Sequence, residues 1–594
     1  MKNISIIIVL SVIMLMITGC EDFLNRPQLT QDTDETAWTS EQKVRLYANK
    51  FYPTFFVGYS NDVSLFTDDV VQRGNQGNFT RAVPNSAIWS MTSLRSINIM
   101  IDRVGNRMEG VLSEEAYNHW MGVGRFFRGL RYSELVFAYG DVPYYDHVVS
   151  DIDKDDLYKP RTPRNEVMDA VYNDLEFAFA NVRLNDGDQS LNRYIVAGFI
   201  SRIALYEGTW QKYYYKNNAR AEKFLALAME TAEFLMNSGK YAIDTDFRSL
   251  FTSNDLKNNR ECILYRKYDN AVSVTHSVAH YNNPLNSINY GGTTALLKSF
   301  ICVDGKVWQN SDIEGANDFR IASLVKTRDS RFEGTFYDKP NINAKGSFLF
   351  PIKFYPRYGV KKAEEEGTTP DELKGSKNIT DAPVLRYAEI LLNWIEAKAE
   401  LASIGGDAVT QADLDRTINL IRNRPLAPEA IEKGVQKTAP LMLDALPDDP
   451  GKDPNVSPLL WEIRRERRME FIFEDGRLID LKRWYKLEYM DTDSDPELLT
   501  GAWVNFPAEA NDYLASAKPE AFSVTKADGS VIVYNGTNGA QMVGFYKDIV
   551  TNGRQPFLNQ VNVNPYLSPV GKTQIDDYAS RGYVLQQTEG WPQN

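Results

Sequence analysis

Residues 113–143 read SEEAYNHWMGVGRFFRGLRYSELVFAYGDVP, and this stretch decides the fold class. Ser113 is placed to cap a helix whose first turn holds Glu114 and Glu115, a charge placement that favours a helix N-terminus. The helix is predicted to run to about Tyr139 and to stop at Gly140-Asp141-Val142-Pro143. Working outward, Thr162-Pro163 reads as an N-cap followed by proline at the first helical position. That next helix carries Val167, Val171, Leu175 and Ala178 on one face. Two more helices are predicted over about 192–210 and 218–238; the first is rich in small residues (Ala197, Gly198, Ser201, Ala204) that permit close packing. Helical patterns return at about 384–403, 411–424 and 458–475, the last with the cap-plus-proline pair Ser457-Pro458. Helices in pairs of roughly 35–50 residues with short connections predict a mainly α fold of tetratricopeptide-like helix pairs. A large irregular, loop-rich part with small β elements is expected to pack on them.

The chain has 594 residues, 43% of them hydrophobic and 24% charged, within the range of globular proteins. Lys+Arg is 66 and Asp+Glu 79, a net charge of −13 that disfavours nucleic acid as a partner. Three cysteines exclude a disulfide-dense scaffold, and four histidines leave little imidazole for catalysis or metal binding. Lys2 followed by the apolar run Ile4–Ile17 reads as a signal peptide over 1–19. At about 1.5 Å per residue the run covers about 21 Å, short of a bilayer core of about 30 Å. Ile17-Thr18-Gly19-Cys20 has the small residues before cysteine of a bacterial lipobox, so Cys20 is the expected lipidation site. Two acyl chains there would anchor the protein stably to a membrane. Residues 20–40 read as the lipidated N-terminus and tether, and 41–594 as one α-helical unit with helix pairs at about 111–238 and 384–484. The span of about 240–380 is rich in Asn, Gly, Pro, Tyr and Phe, with β-like runs such as Ser347–Phe350, and reads as a loop-rich insert. The tail from about 500 to 594 is also loop-rich, with a strand expected at Val531–Val533. Cys262 and Cys302 read as buried free thiols.

Several segments, taken in order, resemble the SusD/RagB family of outer-membrane nutrient-binding lipoproteins. They are Cys20-Glu21-Asp22-Phe23-Leu24, then Gly124–Tyr132 running into Tyr139–Pro143, then Pro160-Arg161-Thr162-Pro163-Arg164 with its helix. Leu385-Arg386-Tyr387-Ala388-Glu389-Ile390-Leu391-Leu392, Ile418-Asn419-Leu420-Ile421-Arg422 and Ile463-Arg464-Arg465-Glu466-Arg467-Arg468 through Trp484 complete the series. The resemblance implies a cell-surface lipoprotein of the outer membrane that captures oligosaccharides, or peptides in some members. It also implies a SusC-like TonB-dependent β-barrel as partner, and no enzymatic activity. The charge run Arg464–Glu470 reads chiefly as a salt-bridged scaffold, with an anion site as the functional alternative.

A sugar site needs flat aromatic platforms for CH faces and fixed donors and acceptors for hydroxyls. Two stretches have that content. Asp68 to Trp89 includes Asp68, Asp69, Arg73, Asn75, Asn78, Arg81 and Trp89; His276 to Trp308 includes His276, His280, Tyr281, Asn283, Tyr290 and Trp308. Trp89, Tyr281, Tyr290 and Trp308 are the expected platforms, and Arg73, Arg81 and Asn283 the expected polar contacts. Trp89 has a competing reading as a core residue, because it precedes a helix with Leu94, Ile97 and Ile101 on one face. Enzyme signals are poor. His276 and His280 stand at i, i+4, but position 277 is serine where a zinc protease needs glutamate. Asp491-Thr492-Asp493-Ser494-Asp495 opens like a calcium loop. Pro496 in place of glycine and Ala502 in place of glutamate leave at most a weak Ca²⁺ site. No other cofactor is expected. The readings that compete with a glycan binder are a peptide-binding importer component and a surface glycoside hydrolase, since carboxylate separation is not visible in sequence.

Overall fold

The structure is a computed structural model that describes residues 34, 37–59, 65–86 and 89–593. The signal peptide and Cys20 lie outside the described residues. The chain is mainly helical. The helices include α1 (Glu41–Asn49), α2 (Thr92–Arg107), α3 (Glu114–Tyr139), α4 (Arg164–Asn181), α5 (Arg193–Tyr213), α6 (Asn218–Met236), α7 (Tyr387–Ala402), α8 (Pro458–Glu470), α9 (Arg477–Arg483) and α10 (Lys572–Ser580). α3 packs between α2 and α4, α5 against α6, α6 against α7, and α7 against α8. Among the described residues no helix is long and apolar enough to cross a membrane.

Local chemistry places the helix ends. The Ser113 hydroxyl accepts the Ala116 N–H at 3.2 Å, and Gly140, at φ 75°, closes α3 with its N–H on Val136 O. Ser457 caps α8 as expected. The cap of α4 differs from the sequence reading. Pro163 sits at the cap position, and Thr162 is drawn into a backbone bridge with Val142. Asp141 caps the helix from outside instead, accepting the Arg164 N–H at 2.7 Å. The expected helix over 411–424 breaks into Gln411–Asp415 and Ile418–Arg422.

Close packing of α5 rests on its small residues. A Cβ on Gly198 would stand 2.4 Å from Leu385 Cδ2, inside the core. Gly198→Val is therefore expected to lower stability by about 1–3 kcal/mol through overpacking, read as a shift of the denaturant midpoint.

The span 240–380 is not a set of open loops. It folds with the tail around a second apolar core that includes Phe251, Phe332, Phe336, Leu349, Phe506, Phe522 and Tyr546. Among the described residues eight short strands frame it: β1 (Val70–Gln72), β2 (Cys262–Arg266), β3 (Tyr290–Gly292), β4 (Ala382–Arg386), β5 (Trp503–Asn505), β6 (Phe522–Thr525), β7 (Val531–Val533) and β8 (Val543–Asp548). β1 pairs antiparallel with β3, β2 with β4, and the tail makes a four-stranded antiparallel sheet in the order β5-β8-β6-β7. Ser347–Phe350 is not a strand; it lies against β3, where Leu349 O accepts the Gly292 N–H at 3.3 Å. Cys262 and Cys302 are buried and unbridged.

A buried ionic lattice joins the helical half to this second core. Glu470 on α8 accepts from Arg386 at 2.8 Å, Arg424 at 2.7 Å and Arg331 at 3.1 Å. Glu261 binds Arg386 and Arg424, Glu466 binds Arg331 and Arg422, and Glu474 binds Lys353 and Arg386. Cations and carboxylates alternate, as burial of charge requires.

Candidate functional site

One face of α8 is built for a cavity rather than for the core. Trp461, Arg464, Arg465 and Arg468 follow one another at i, i+3, i+4 and i+7, the helical spacing that stacks side chains on one side. Together with Trp308, Tyr489, Trp484, Asp68, Arg477, Lys298 and Lys452 they line a cavity of about 610 Å³. That volume lies within the range of about 300–1,000 Å³ typical of small-ligand sites.

The walls are aromatic. Trp308 is partly exposed and braced edge-on by Phe319 at 5.0 Å. Trp461 and Tyr489 meet edge-on at 6.3 Å, with their polar ends tied back: Trp461 Nε1 donates to Asp449 at 2.8 Å, and Tyr489 Oη to Asp453 at 2.6 Å. Both aromatic planes are thus held by the loop preceding α8. The Asn310 amide ties the Trp308 loop to that same loop, donating to Asp448 O at 2.7 Å.

The polar lining is nearly self-compensated. Arg477 makes a bidentate pair with Asp68 at 2.7 and 2.9 Å, and Arg468 binds Asp69 at 2.6 Å and Asp68 at 3.2 Å. Burial alone would raise the Asp68 carboxyl, but the charges of Arg477 and Arg468 prevail and hold it well below the usual range. Arg465 is paired with Asp449 and Glu462, and Lys298 with Glu497. Cationic and carboxylate side chains line the cavity in equal number.

Arg464 is the exception. It is 5% exposed, lies over Trp484 at 4.5 Å, and reaches Glu400 only at 3.4 Å. Its Nε and Nη1 have no hydrogen-bond partner among the described residues. Buried N–H donors without acceptors are costly, and a ligand oxygen would satisfy them.

The residues singled out in the sequence are distributed over several places. Trp308 is on the cavity wall, and Asp68, from the other expected stretch, meets it there. Arg73 is exposed at the end of β1, its Nε on Asp548 at 2.7 Å. Tyr290 lies beside it in register with Gln72 but is buried, 5% exposed, which turns its ring into the second core. Arg81 is exposed and donates to Pro556 O. Asn283 is buried, its amide spent on Thr369 at 2.8 Å. Tyr281 is partly exposed beside His280. Trp89 is buried edge-on against Tyr139 at 5.1 Å and lines a different cavity. Trp89, Tyr290 and Asn283 are buried and do not line the cavity under Trp308.

The histidine pair does not converge. His276 is buried against Thr380 O at 2.9 Å, and burial brings its pKa down to about 4; His280 Nδ1 accepts from Asn286. In the acidic turn, Asp491 is spent on Ser494 and on the Asp493 N–H. Among the described residues no group of three or more His, Cys, Asp or Glu is placed to hold a metal ion.

Comparison with known proteins agrees with this architecture. The model of the SusD family matches residues 252–591, more than half of the chain. "SusD-like protein P2" of Formosa agariphila is 24% identical over 496 residues, covering 80% of this chain and 89% of the relative. A "SusD-like protein" of Bacteroides ovatus is 21% identical, covering 81% and 82%. Among solved structures, a SusD-like carbohydrate binding protein from Bacteroides fragilis superposes with a TM-score of 0.60 at 17% identity, covering 91% of this chain and 99% of its own. Surface glycan-binding protein A from Bacteroides fluxus superposes with a TM-score of 0.55 at 16% identity, covering 93% and 100%. At these identities the structural likeness concerns the fold.

Proposed function

The chain belongs to the SusD family, and from that membership we propose that it is a cell-surface glycan-binding lipoprotein. Anchored through Cys20 at the outer membrane, it holds an oligosaccharide and passes it to a SusC-like TonB-dependent barrel. Holding the ligand beside the transporter raises its local concentration by proximity. SusD-like proteins are non-catalytic, and the chain is a binder rather than an enzyme.

The observation that carries the reading is the cavity under Trp308. Fixed aromatic planes suit the CH faces of sugar rings, and the unpaired Arg464 N–H groups suit ring hydroxyls or ether oxygens. Because its charges are largely compensated internally, the cavity fits a neutral ligand rich in hydrogen-bonding groups.

The test is native gel electrophoresis of the purified chain in gels cast with polysaccharides, with reducing ends assayed in parallel. Retardation by at least one polysaccharide without release of reducing ends is expected. Release of reducing ends would establish a hydrolase, and retention by a peptide array with no polysaccharide retardation would establish the peptide-binding alternative.

A further inference from the structure

A second cavity, of about 380 Å³, lies in the helical half between the start of α2, the loop 143–158 and α10. Four aromatic side chains form it: Trp89, Tyr145, Tyr158 and Tyr578. Tyr158 and Tyr578 meet edge-on at 5.1 Å, and the Tyr145 and Tyr578 hydroxyls are engaged by Leu157 O at 3.1 Å and Lys159 O at 3.4 Å. Tyr145 and Tyr578 therefore offer mainly ring surface.

Two residues lining this cavity each carry a buried amide oxygen that has no donor among the described residues. Asn98 is 2% exposed, and its Nδ2 donates to both Tyr145 O and His147 O at 2.9 Å. Only an NH₂ group can serve two carbonyls, so the orientation of this amide is fixed and Oδ1 must face the other way. That oxygen has no hydrogen-bond partner among the described residues, and neither has Gln574 Oε1 on α10. Both residues line the cavity. Unsatisfied buried acceptors beside aromatic rings call for a ligand that brings O–H or N–H donors on a compact apolar frame.

The charged groups around the cavity are of both signs. Arg95 and Asp577 line it, as does His147, whose imidazole lies between Asp146 and Asp156 at 2.8 Å each. Hydrogen bonds to those carboxylates raise the His147 pKa.

We infer that the cavity between α2 and α10 is a second subsite that takes one neutral sugar ring, with Asn98 Oδ1 and Gln574 Oε1 accepting from its hydroxyls. The ligand class rests on the glycan-binding reading; the subsite itself does not depend on the cavity under Trp308. A second contact on the same chain would lengthen residence on a polysaccharide through effective concentration.

The experiment uses the Trp308→Ala chain, so that the first cavity is disabled. Saturation-transfer NMR is recorded with methyl glycosides of glucose, galactose, mannose and xylose. At least one is expected to show transfer, and adding either Gln574→Leu or Val149→Trp, which fills the cavity from its rim, should weaken it by about tenfold or more. Each double variant is checked for an unchanged circular dichroism spectrum, and the two variants guard against misfolding of one. Absence of transfer from all four glycosides overturns the subsite, as does transfer that neither substitution alters. Transfer that persists in the Trp308→Ala chain after its gel retardation is lost supports this subsite and leaves the first as the polysaccharide site; retardation without transfer overturns this subsite alone.

Discussion

Glu470→Ala is expected to lower the stability of the folded chain by about 3–5 kcal/mol, the cost of breaking a buried ion pair from one side. The Glu470 carboxylate is fully buried and answers three guanidinium groups, those of Arg331, Arg386 and Arg424. Its removal leaves those cations to Asp329, Glu261, Glu466 and Glu474, which are already shared with Arg422 and Lys353. Urea unfolding followed by circular dichroism measures the change, and a loss below about 1 kcal/mol would show that the lattice rearranges freely. The same chemistry sets an acid limit. Burial alone would raise the Glu396 carboxyl, but Arg483, at hydrogen-bond distance, and Arg467 bring its pKa down to about 2. A folded-state pKa below the unfolded value of about 4.3 contributes stability that is complete above pH 4.3 and is lost as pH falls through 2. Thermal midpoints should therefore be flat from neutrality to about pH 5 and fall steeply between about pH 4 and 2.

The helices were legible because their signals are local. Ser113 with its two following glutamates, Gly140, and Ser457-Pro458 act within one turn of the residues they organise. Asp141 reached α4 from outside that window, and Thr162 was claimed by a bridge to Val142, so the cap there was misplaced. The second core was not legible for the opposite reason. Its strands span three to six residues and pair across the chain, β1 with β3 and β2 with β4, so no period accumulates along the sequence. The site divides the same way. Trp308 follows the turn at Gly305, φ 77°, and its partial exposure was readable from that turn. The spacing of Trp461, Arg464, Arg465 and Arg468 was also present in the sequence. What it lacked was a sign of which face of α8 would meet the ionic lattice through Glu466 and Glu470 and which would meet a cavity. That choice is made by Arg331, Arg386, Arg422 and Arg424, from distant parts of the chain.

Trp308→Ala is expected to weaken glycan binding by about thirtyfold, the size of loss, about 2 kcal/mol, that marks an aromatic anchor in a binding site. Trp308 is partly exposed on the wall of the larger cavity, and its ring is held by Phe319 rather than by a polar tether, so truncation removes a platform without orphaning a buried partner. Arg464→Met separates the polar contribution. It keeps a long side chain over Trp484 and removes N–H groups of which two have no partner in the free protein. The carboxylate it leaves, Glu400, remains bound by Lys212 and Tyr213. Affinity should therefore fall by about tenfold or more with little change in thermal midpoint. Titration calorimetry with the retained oligosaccharide, at low salt and again at about 0.5 M, adds a discriminating measurement. A neutral ligand in a charge-compensated cavity binds almost equally at both, whereas an anionic ligand held by the cationic side chains of the cavity would weaken with screening. Unchanged affinity in both variants would remove the cavity under Trp308 as the glycan site.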